Sequence, residues 1–337
     1  MKIGIKCPVR IDFTGGFTDV NPFCANTEAH HINAAINSHV NIVIEPRNDG
    51  KFLIDSPNGK FIYPSFKKLK LDNKQRLIST AYEFFSFTKG VNLYISTEIP
   101  SGAGLGTSGA LSAALVAGLY TINSGKPQKN NLGDLAVIAS KIENAAGNIS
   151  GLQDCFAAVF GKINQFSFYK DAWKIDPLNL SNEAIDILES RLLIAYPGGS
   201  RMSGKIVKKI MVEYTHGNHL VSDTLNSLNE LSTELYFALK SIDLNCLVKL
   251  TKRILLLQEK LYPKMVTPKH KKLLKKLGVP KIGCKLLGGG GPGACILILC
   301  STENAYKYSL STLVEAEYQK IPVKIARDGI KINFLKP

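Results

Sequence analysis

Between Pro100 and Ala110 the chain reads Pro-Ser-Gly-Ala-Gly-Leu-Gly-Thr-Ser-Gly-Ala, a glycine-rich loop that ends in two hydroxyl residues and opens onto an apolar run. Such a segment can turn several backbone N–H groups toward one anion, at a helix end where the dipole favours negative charge. Glycine at 102, 104 and 106 permits positive φ and close approach of a phosphate. The plainer alternative is a tight turn with a Ser or Thr N-cap, which requires fewer glycines than stand here. Two other phosphate-binding patterns do not fit. A Walker loop ends in Gly-Lys-Ser/Thr, and no lysine lies between Pro100 and Gly125. Gly104 to Gly109 matches GxGxxG, but the chain continues through Gly125-Lys126-Pro127 into a second helical pattern. A nicotinamide-dependent oxidoreductase would instead need a strand ending in an acidic residue there.

A phosphate loop of this kind needs a strand before it and a helix after it. Val91 to Ile99 alternates Val91, Leu93 and Ile95 with Asn92, Tyr94 and Ser96, as a half-buried strand should. Ala110 to Tyr120 is apolar nearly all round and predicts a helix buried at a domain centre. Asp134 to Ala146 places Leu135, Ile138, Ala139 and Ile142 on one helical face. Further strands are predicted at 41–45, 51–55, 162–168, 192–196, 283–287, 294–300 and 322–326, with helix over most of 204–261 and over 303–318. Turn-formers cluster between Tyr169 and Ala184 (Asp171, Asp176, Pro177, Asn179, Asn182). They suggest a boundary between two α+β domains, 1–175 with the glycine loop and 185–337.

The chain has 337 residues, 45% hydrophobic and 20% charged, which suits a folded protein of two domains. Its net charge of +15 fits nucleic acid, an anionic membrane surface or phosphorylated small molecules. The densest basic stretch, Lys269 to Lys276, spaces its lysines around Leu273, Leu274 and Leu277 with no aromatic residue to stack a base, so it reads as a solvated helix face. The seven cysteines show no CxxC spacing and read as reduced thiols, and His30, His31, His216 and His219 read as ordinary core or surface residues. No apolar run is long enough to span a bilayer and the N-terminus lacks a signal-peptide pattern, so the expected location is cytoplasmic.

At the glycine loop a family resemblance emerges. Pro100 to Ala110 resembles the second motif of the GHMP kinases, Pro-x-Gly-x-Gly-Leu-Gly-Ser-Ser-Ala, with Thr107 and Gly109 in place of Ser and Ala. Lys6 to Asp19 (Lys-Cys-Pro-Val-Arg-Ile-Asp-Phe-Thr-Gly-Gly-Phe-Thr-Asp) resembles the family's N-terminal substrate motif, and Lys285 to Ala294 (Lys-Leu-Leu-Gly-Gly-Gly-Gly-Pro-Gly-Ala) its C-terminal glycine motif. The resemblance implies an α+β two-domain fold, with a left-handed β-α-β crossover in the N-terminal domain and a ferredoxin-like C-terminal domain. It also implies ATP and Mg2+ as cofactors. Pro100, Gly102, Ala103, Gly104, Leu105, Gly106, Thr107 and Ser108 would then bind ATP.

Residue roles follow from the same resemblance. Ser150-Gly-Leu-Gln-Asp154 is similar to the family's Gly-Gly-x-x-Asp-Gln segment, whose aspartate faces the acceptor hydroxyl, so Asp154 takes the catalytic-base role. An N-cap for a helix from Cys155 to Phe160 is its alternative. Ser108 and Glu143 would hold Mg2+, unless Glu143 is a plain surface glutamate. Arg10 would keep Asp154 ionised, or else form a surface ion pair. Gly15, Gly16, Asp19, Gly289 and Gly290 would approach the substrate; Asp19 in a simple turn before Asn21-Pro22 is the alternative. Gly289 and Pro292 depart from the family's Gly-Ala-Gly-Gly-Gly, which alters how that loop can touch a ligand. The segment Pro8 to Phe23 is closest to the heptose-phosphate kinase and fucokinase branch, and Arg201 is a candidate for a substrate phosphate. The implied reaction is transfer of the ATP γ-phosphate to a sugar hydroxyl, at C1 of a heptose 7-phosphate or on an unphosphorylated sugar such as fucose. The expected partner is a small-molecule sugar or sugar phosphate, with no nucleic acid and no membrane, and a homodimer as an open alternative.

Overall fold

The computed structural model describes residues 2–87, 89–100, 102–127, 131–199 and 204–335; Ser101 and Arg201 lie outside the described residues. Strand β1 (Lys2–Asp12) buries Ile3, Ile5, Cys7, Val9 and Ile11, the alternation that puts one face of a strand on a core. After α1 (Phe23–Asn26), β2 (Ala29–Arg47) runs antiparallel to β1 and is long enough to serve two more partners. The hairpin of β3 (Phe52–Ser56) and β4 (Gly59–Tyr63), then α2 (Phe66–Lys70) and α3 (Arg76–Phe84), lead to β5 (Gly90–Thr97). Strand β5 pairs antiparallel with the second half of β2 and parallel with β3, so a crossover through α2 and α3 is required.

Helices α4 (Thr107–Ser124), α5 (Leu132–Ala145) and α6 (Gln153–Phe160) cover this sheet. The α4 helix is apolar on all sides because β1, β2, α3, α5 and α6 surround it. Strand β6 (Ile163–Tyr169) pairs with the first half of β2, and β7 (Ala172–Pro177) pairs with β6. The turn-formers expected at a domain boundary after Tyr169 therefore begin with a hairpin of the same sheet. They end at α7 (Asn182–Glu189), which Ser181 caps through the Ala184 N–H.

The second sheet starts with β8 (Leu192–Tyr196). Helices α8 (Gly204–Thr215), α9 (His219–Lys240), α10 (Leu244–Leu261) and α11 (Pro268–Lys276) precede β9 (Ile282–Leu286). Then come β10 (Ile296–Cys300), α12 (Glu303–Glu315) and β11 (Gln319–Ile321). The strand order β11-β8-β10-β9, all antiparallel, is the βαββαβ arrangement of a ferredoxin-like domain. Strands β8 and β10 are buried at every position, which is why they read as continuous apolar runs; β9 is equally buried but carries Lys285. The strand predicted over 322–326 is not formed: Pro322 has no N–H to extend the ladder, and pairing stops at Ile321. The chain instead crosses to the first sheet, where Ala326 donates to the Ala35 carbonyl at 2.8 Å. It ends in β12 (Lys331–Leu335), antiparallel to β1, so the N-terminal sheet takes its edge strand from within the 185–337 segment. No helix among the described residues is long and apolar enough to cross a membrane.

One buried ion pair joins the two sheets. Lys285 on β9, with no solvent exposure, donates from Nζ to Asp12 Oδ2 at 3.0 Å and to the Asp12 carbonyl at 2.6 Å. Burial alone would raise the Asp12 pKa; Lys285 foremost, with His31 and Arg10, reverses that and holds it well below the ordinary carboxylate range. A carboxyl group with a depressed pKa contributes stability above its unfolded-state pKa and loses it as pH falls through the folded value. Gln258 of α10 reinforces the seam, donating to the carbonyls of Gly15 and Leu286 and accepting from the Leu286 N–H. Lys285→Met, which strands the Asp12 carboxylate, should cost about 3–5 kcal/mol in urea unfolding. Combining it with Asp12→Asn should recover most of that loss; a single variant as stable as the wild type would show that the pair does not hold the seam.

Candidate active site

The glycine loop lies on the floor of a cleft of about 720 Å³ between the two halves. Gly102, Gly104, Gly106, Thr107 and Ser108 line it. Gly106 is the N-cap of α4 with φ of 75°, and its side-chain-free turn leaves no cap on the helix end, so the first N–H groups of a long buried helix face an anion site. A Cβ at 106 would also come within 3.2 Å of Arg10 Cγ. Ala103 and Leu105 are buried beneath: the Leu105 carbonyl accepts from Arg10 N at 3.0 Å, and the Ala103 carbonyl from Cys295 N at 2.9 Å. Pro100 is not part of the cleft wall; its carbonyl closes the turn by accepting from Ala103 N.

Arg10, 4% exposed, is anchored on β1 and reaches both the loop and α6. Its NH1 donates to the Gly104 carbonyl at 2.7 Å, and its Nε and NH2 donate to Asp154 Oδ1 at 2.8 and 2.5 Å. Arg10 is buried and Asp154 half-buried, so the surface alternative for Arg10 falls away. Asp154 sits inside the first turn of α6, which begins two residues earlier than expected, at Gln153 after Leu152; Asp154 is not the N-cap. Burial raises its pKa, and the charge and hydrogen bonds of Arg10 work against that rise.

Glu143 of α5 is 2% exposed and lines the same cleft, which rules out a plain surface glutamate. Burial first, then the Asp154 charge, push its pKa up to about 7, while a hydrogen bond with Ser108 opposes the rise. Ser108 and Glu143 thus bring a hydroxyl and a carboxyl together at the phosphate loop. That donor set suits Mg2+, which takes one or two protein oxygens and completes its shell with phosphate and water. No group of three or more His, Cys, Asp or Glu side chains placed to hold a metal occurs among the described residues.

The substrate-side residues divide. Gly16, Asp19 and Gly289 line the cleft. Gly15 packs beneath Leu228 and Ile254, and Gly290 against Met265. Asp19, 2% exposed, accepts hydrogen bonds from the backbone and side chain of Gln153 at 2.9 and 3.0 Å, so more than a turn fixes it. Sequence reasoning missed Lys285, Gln153, and the exposed Lys205 and Lys208 on α8, which line the cleft opposite the loop. The lysines stand three apart on one helical face, a spacing that also marks any solvated face. Gln153 did carry a signal, as a polar side chain next to the proposed base.

A carboxyl group titrating near neutrality should show itself in the protein without ligand. Because the Glu143 pKa is raised on folding, the folded form binds more protons between the unfolded and folded values, and stability falls as pH rises from about 4.5 to about 7. Glu143→Gln should flatten that stretch and raise the melting temperature at pH 8, while raising the magnesium concentration that turnover requires and lowering turnover. An unchanged pH–stability profile would show that Glu143 ionises freely.

Comparison with known proteins places these features in a family. The model of the GHMP kinases N terminal domain matches residues 75–162. The bifunctional fucokinase/GDP-fucose pyrophosphorylase of Arabidopsis thaliana is 26% identical over 320 residues, covering 89% of this chain and 30% of that protein. The D-glycero-alpha-D-manno-heptose 7-phosphate kinase of Campylobacter jejuni is 30% identical over 211 residues, covering 59% of this chain and 60% of that protein. The chain thus matches under a third of the first relative's length and three fifths of the second's. Among solved structures, a D-glycero-D-manno-heptose 1-phosphate kinase from Bacteriodes thetaiotaomicron superposes with a TM-score of 0.78 at 19% identity, covering 99% of this chain and 100% of that one. Lactococcus lactis galactokinase complexed with galactose gives 0.77 at 18% identity, covering 98% and 95%. Residues 75–162, which include the glycine loop, thus match the GHMP kinase N-terminal domain, and the whole chain shares the two-part fold of these solved sugar kinases.

Proposed function

We propose that the protein transfers the γ-phosphate of ATP to a sugar hydroxyl, and the observation that carries this is the Arg10–Asp154 pair beneath the glycine loop. The acceptor hydroxyl oxygen attacks the γ-phosphorus; an O–P bond forms, the bond from phosphorus to the β,γ-bridging oxygen breaks, and ADP departs. The hydroxyl proton passes to Asp154. Both Arg10 bonds go to Oδ1, and Oδ2 has no hydrogen-bond partner among the described residues, so it is the oxygen available to the proton. The buried carboxylate binds a proton more readily than an exposed one, while Arg10 keeps it ionised beforehand. The α4 N-terminal amides and Arg10 meet the charge on the transferring group. Ser108 and Glu143 would hold Mg2+, which supplies neutralisation of the β- and γ-phosphates.

For the acceptor we infer the C1 hydroxyl of a heptose 7-phosphate. The match to the Campylobacter jejuni heptose 7-phosphate kinase, the net charge of +15 and the lysines at 205 and 208 support it, with Arg201 shortly before them in sequence. A guanidinium engages two phosphate oxygens at once, and a remote dianion can orient the sugar. A second reading, an unphosphorylated sugar such as fucose, is favoured by the fucokinase match across 89% of the chain.

ADP release measured with a panel of free and phosphorylated sugars distinguishes these. Heptose 7-phosphate should be the best acceptor. Arg201→Ala should raise its KM about 10- to 100-fold, the worth of a charged hydrogen bond, with the KM for ATP nearly unchanged. Equal efficiency with fucose would establish the second reading, and no turnover with any sugar would end the kinase proposal.

A further inference from the structure

Gln153 is the first residue of α6, immediately before Asp154, and lies 6% exposed on the cleft wall. Its backbone N–H donates to Asp19 Oδ2 and its side-chain Nε2 to Asp19 Oδ1. Asp19 cannot retreat: it abuts Gly151, where a Cβ would come within 1.8 Å of Oδ2. On its other side, the wholly buried His31 holds Nε2 at 3.5 Å from Asp19 Oδ1 and 2.7 Å from Thr18 Oγ1. An ionised carboxylate only accepts hydrogen bonds, so the Gln153 amide must turn its nitrogen to Asp19. That leaves Gln153 Oε1, which is buried and has no hydrogen-bond partner among the described residues.

A buried acceptor left unpaired costs about 1–3 kcal/mol, and buried polar groups in folded proteins are nearly always satisfied. This one belongs to a cleft-lining residue beside the proposed proton acceptor. A second cavity, of about 310 Å³, adjoins the cleft at Asp19, Val20, Ile149 and Ser150, leaving room for the non-reacting end of a sugar. We propose that Gln153 Oε1 accepts a hydrogen bond from a sugar hydroxyl other than the one phosphorylated, with Asp19 as the positioning residue that fixes the amide. Residue 153 is then a specificity determinant, because a sugar lacking that hydroxyl leaves the acceptor unpaired. This rests on the sugar-kinase reading above.

The test compares monodeoxy analogues of heptose 7-phosphate or of fucose, whichever the wild type phosphorylates faster. In the wild type, removal of one particular hydroxyl should lower kcat/KM at least about tenfold. Gln153→Met should abolish that penalty and raise the KM of the parent sugar by a similar factor, with the KM for ATP within about twofold. Gln153→Asn, which keeps the amide but withdraws it by one methylene, should lose the same discrimination and serves if the Met variant does not fold. Penalties in a folded variant equal to those of the wild type would overturn the role of Gln153 while leaving the kinase reading intact. If the wild type phosphorylates no sugar, both fall.

Discussion

A buried guanidinium must be answered on all its donating sides, and the whole site is built around answering Arg10. Removing such a charge from water costs several kcal/mol unless its partners are well placed. Here they come from two directions, Asp154 on α6 and the Gly104 carbonyl in the loop, while the Leu105 carbonyl holds the Arg10 backbone by accepting from its N–H. The sheet, the phosphate loop and the acidic helix are thereby locked into one geometry. The loop cannot change shape without exposing Arg10, nor can Asp154 swing away without stranding a charge.

The ferredoxin-like half is tied to the same place. Lys285 answers Asp12, two residues beyond Arg10 on β1, and Cys295 N–H binds the Ala103 carbonyl inside the glycine loop. The seam between the halves is therefore polar and buried, and the cleft opens along it. Stability is given up there: Glu143 is held away from water beside Asp154, an arrangement that disfavours its charged form. Fixing a cation at this point would relieve both carboxylates at once.

Much of this was legible in the sequence, for a physical reason. Wrapping a phosphate in backbone amides requires glycine at closely spaced positions, so the loop at 102–106 announces itself locally, as do the alternation of β5 and the all-apolar α4. Pairing across the fold leaves no such trace. Lys285 and Asp12 lie 273 residues apart, and nothing near either marks it as half of an ion pair. Asp154 stays open between base and N-cap in the sequence because the two readings differ by only two residues in where α6 begins. The 322–326 segment carries the β-branched Val323 and Ile325, yet Pro322 ends the pairing there, and β7 hides in the sequence because the turn residues around it resemble those of a linker. Lys205 and Lys208 look like any exposed lysines until the fold turns them to the cleft.

The account stands or falls on Asp154 as the group that receives the acceptor proton while Arg10 holds it in place. Single-turnover phosphoryl transfer in Asp154→Asn, with nucleotide affinity measured on the same preparation, tests it most directly. The amide keeps an oxygen for Arg10 but cannot take the proton, so ATP should bind within about threefold of the wild type while transfer slows by about two to four orders of magnitude. A folded variant that transfers phosphate at close to the wild-type rate would contradict the account.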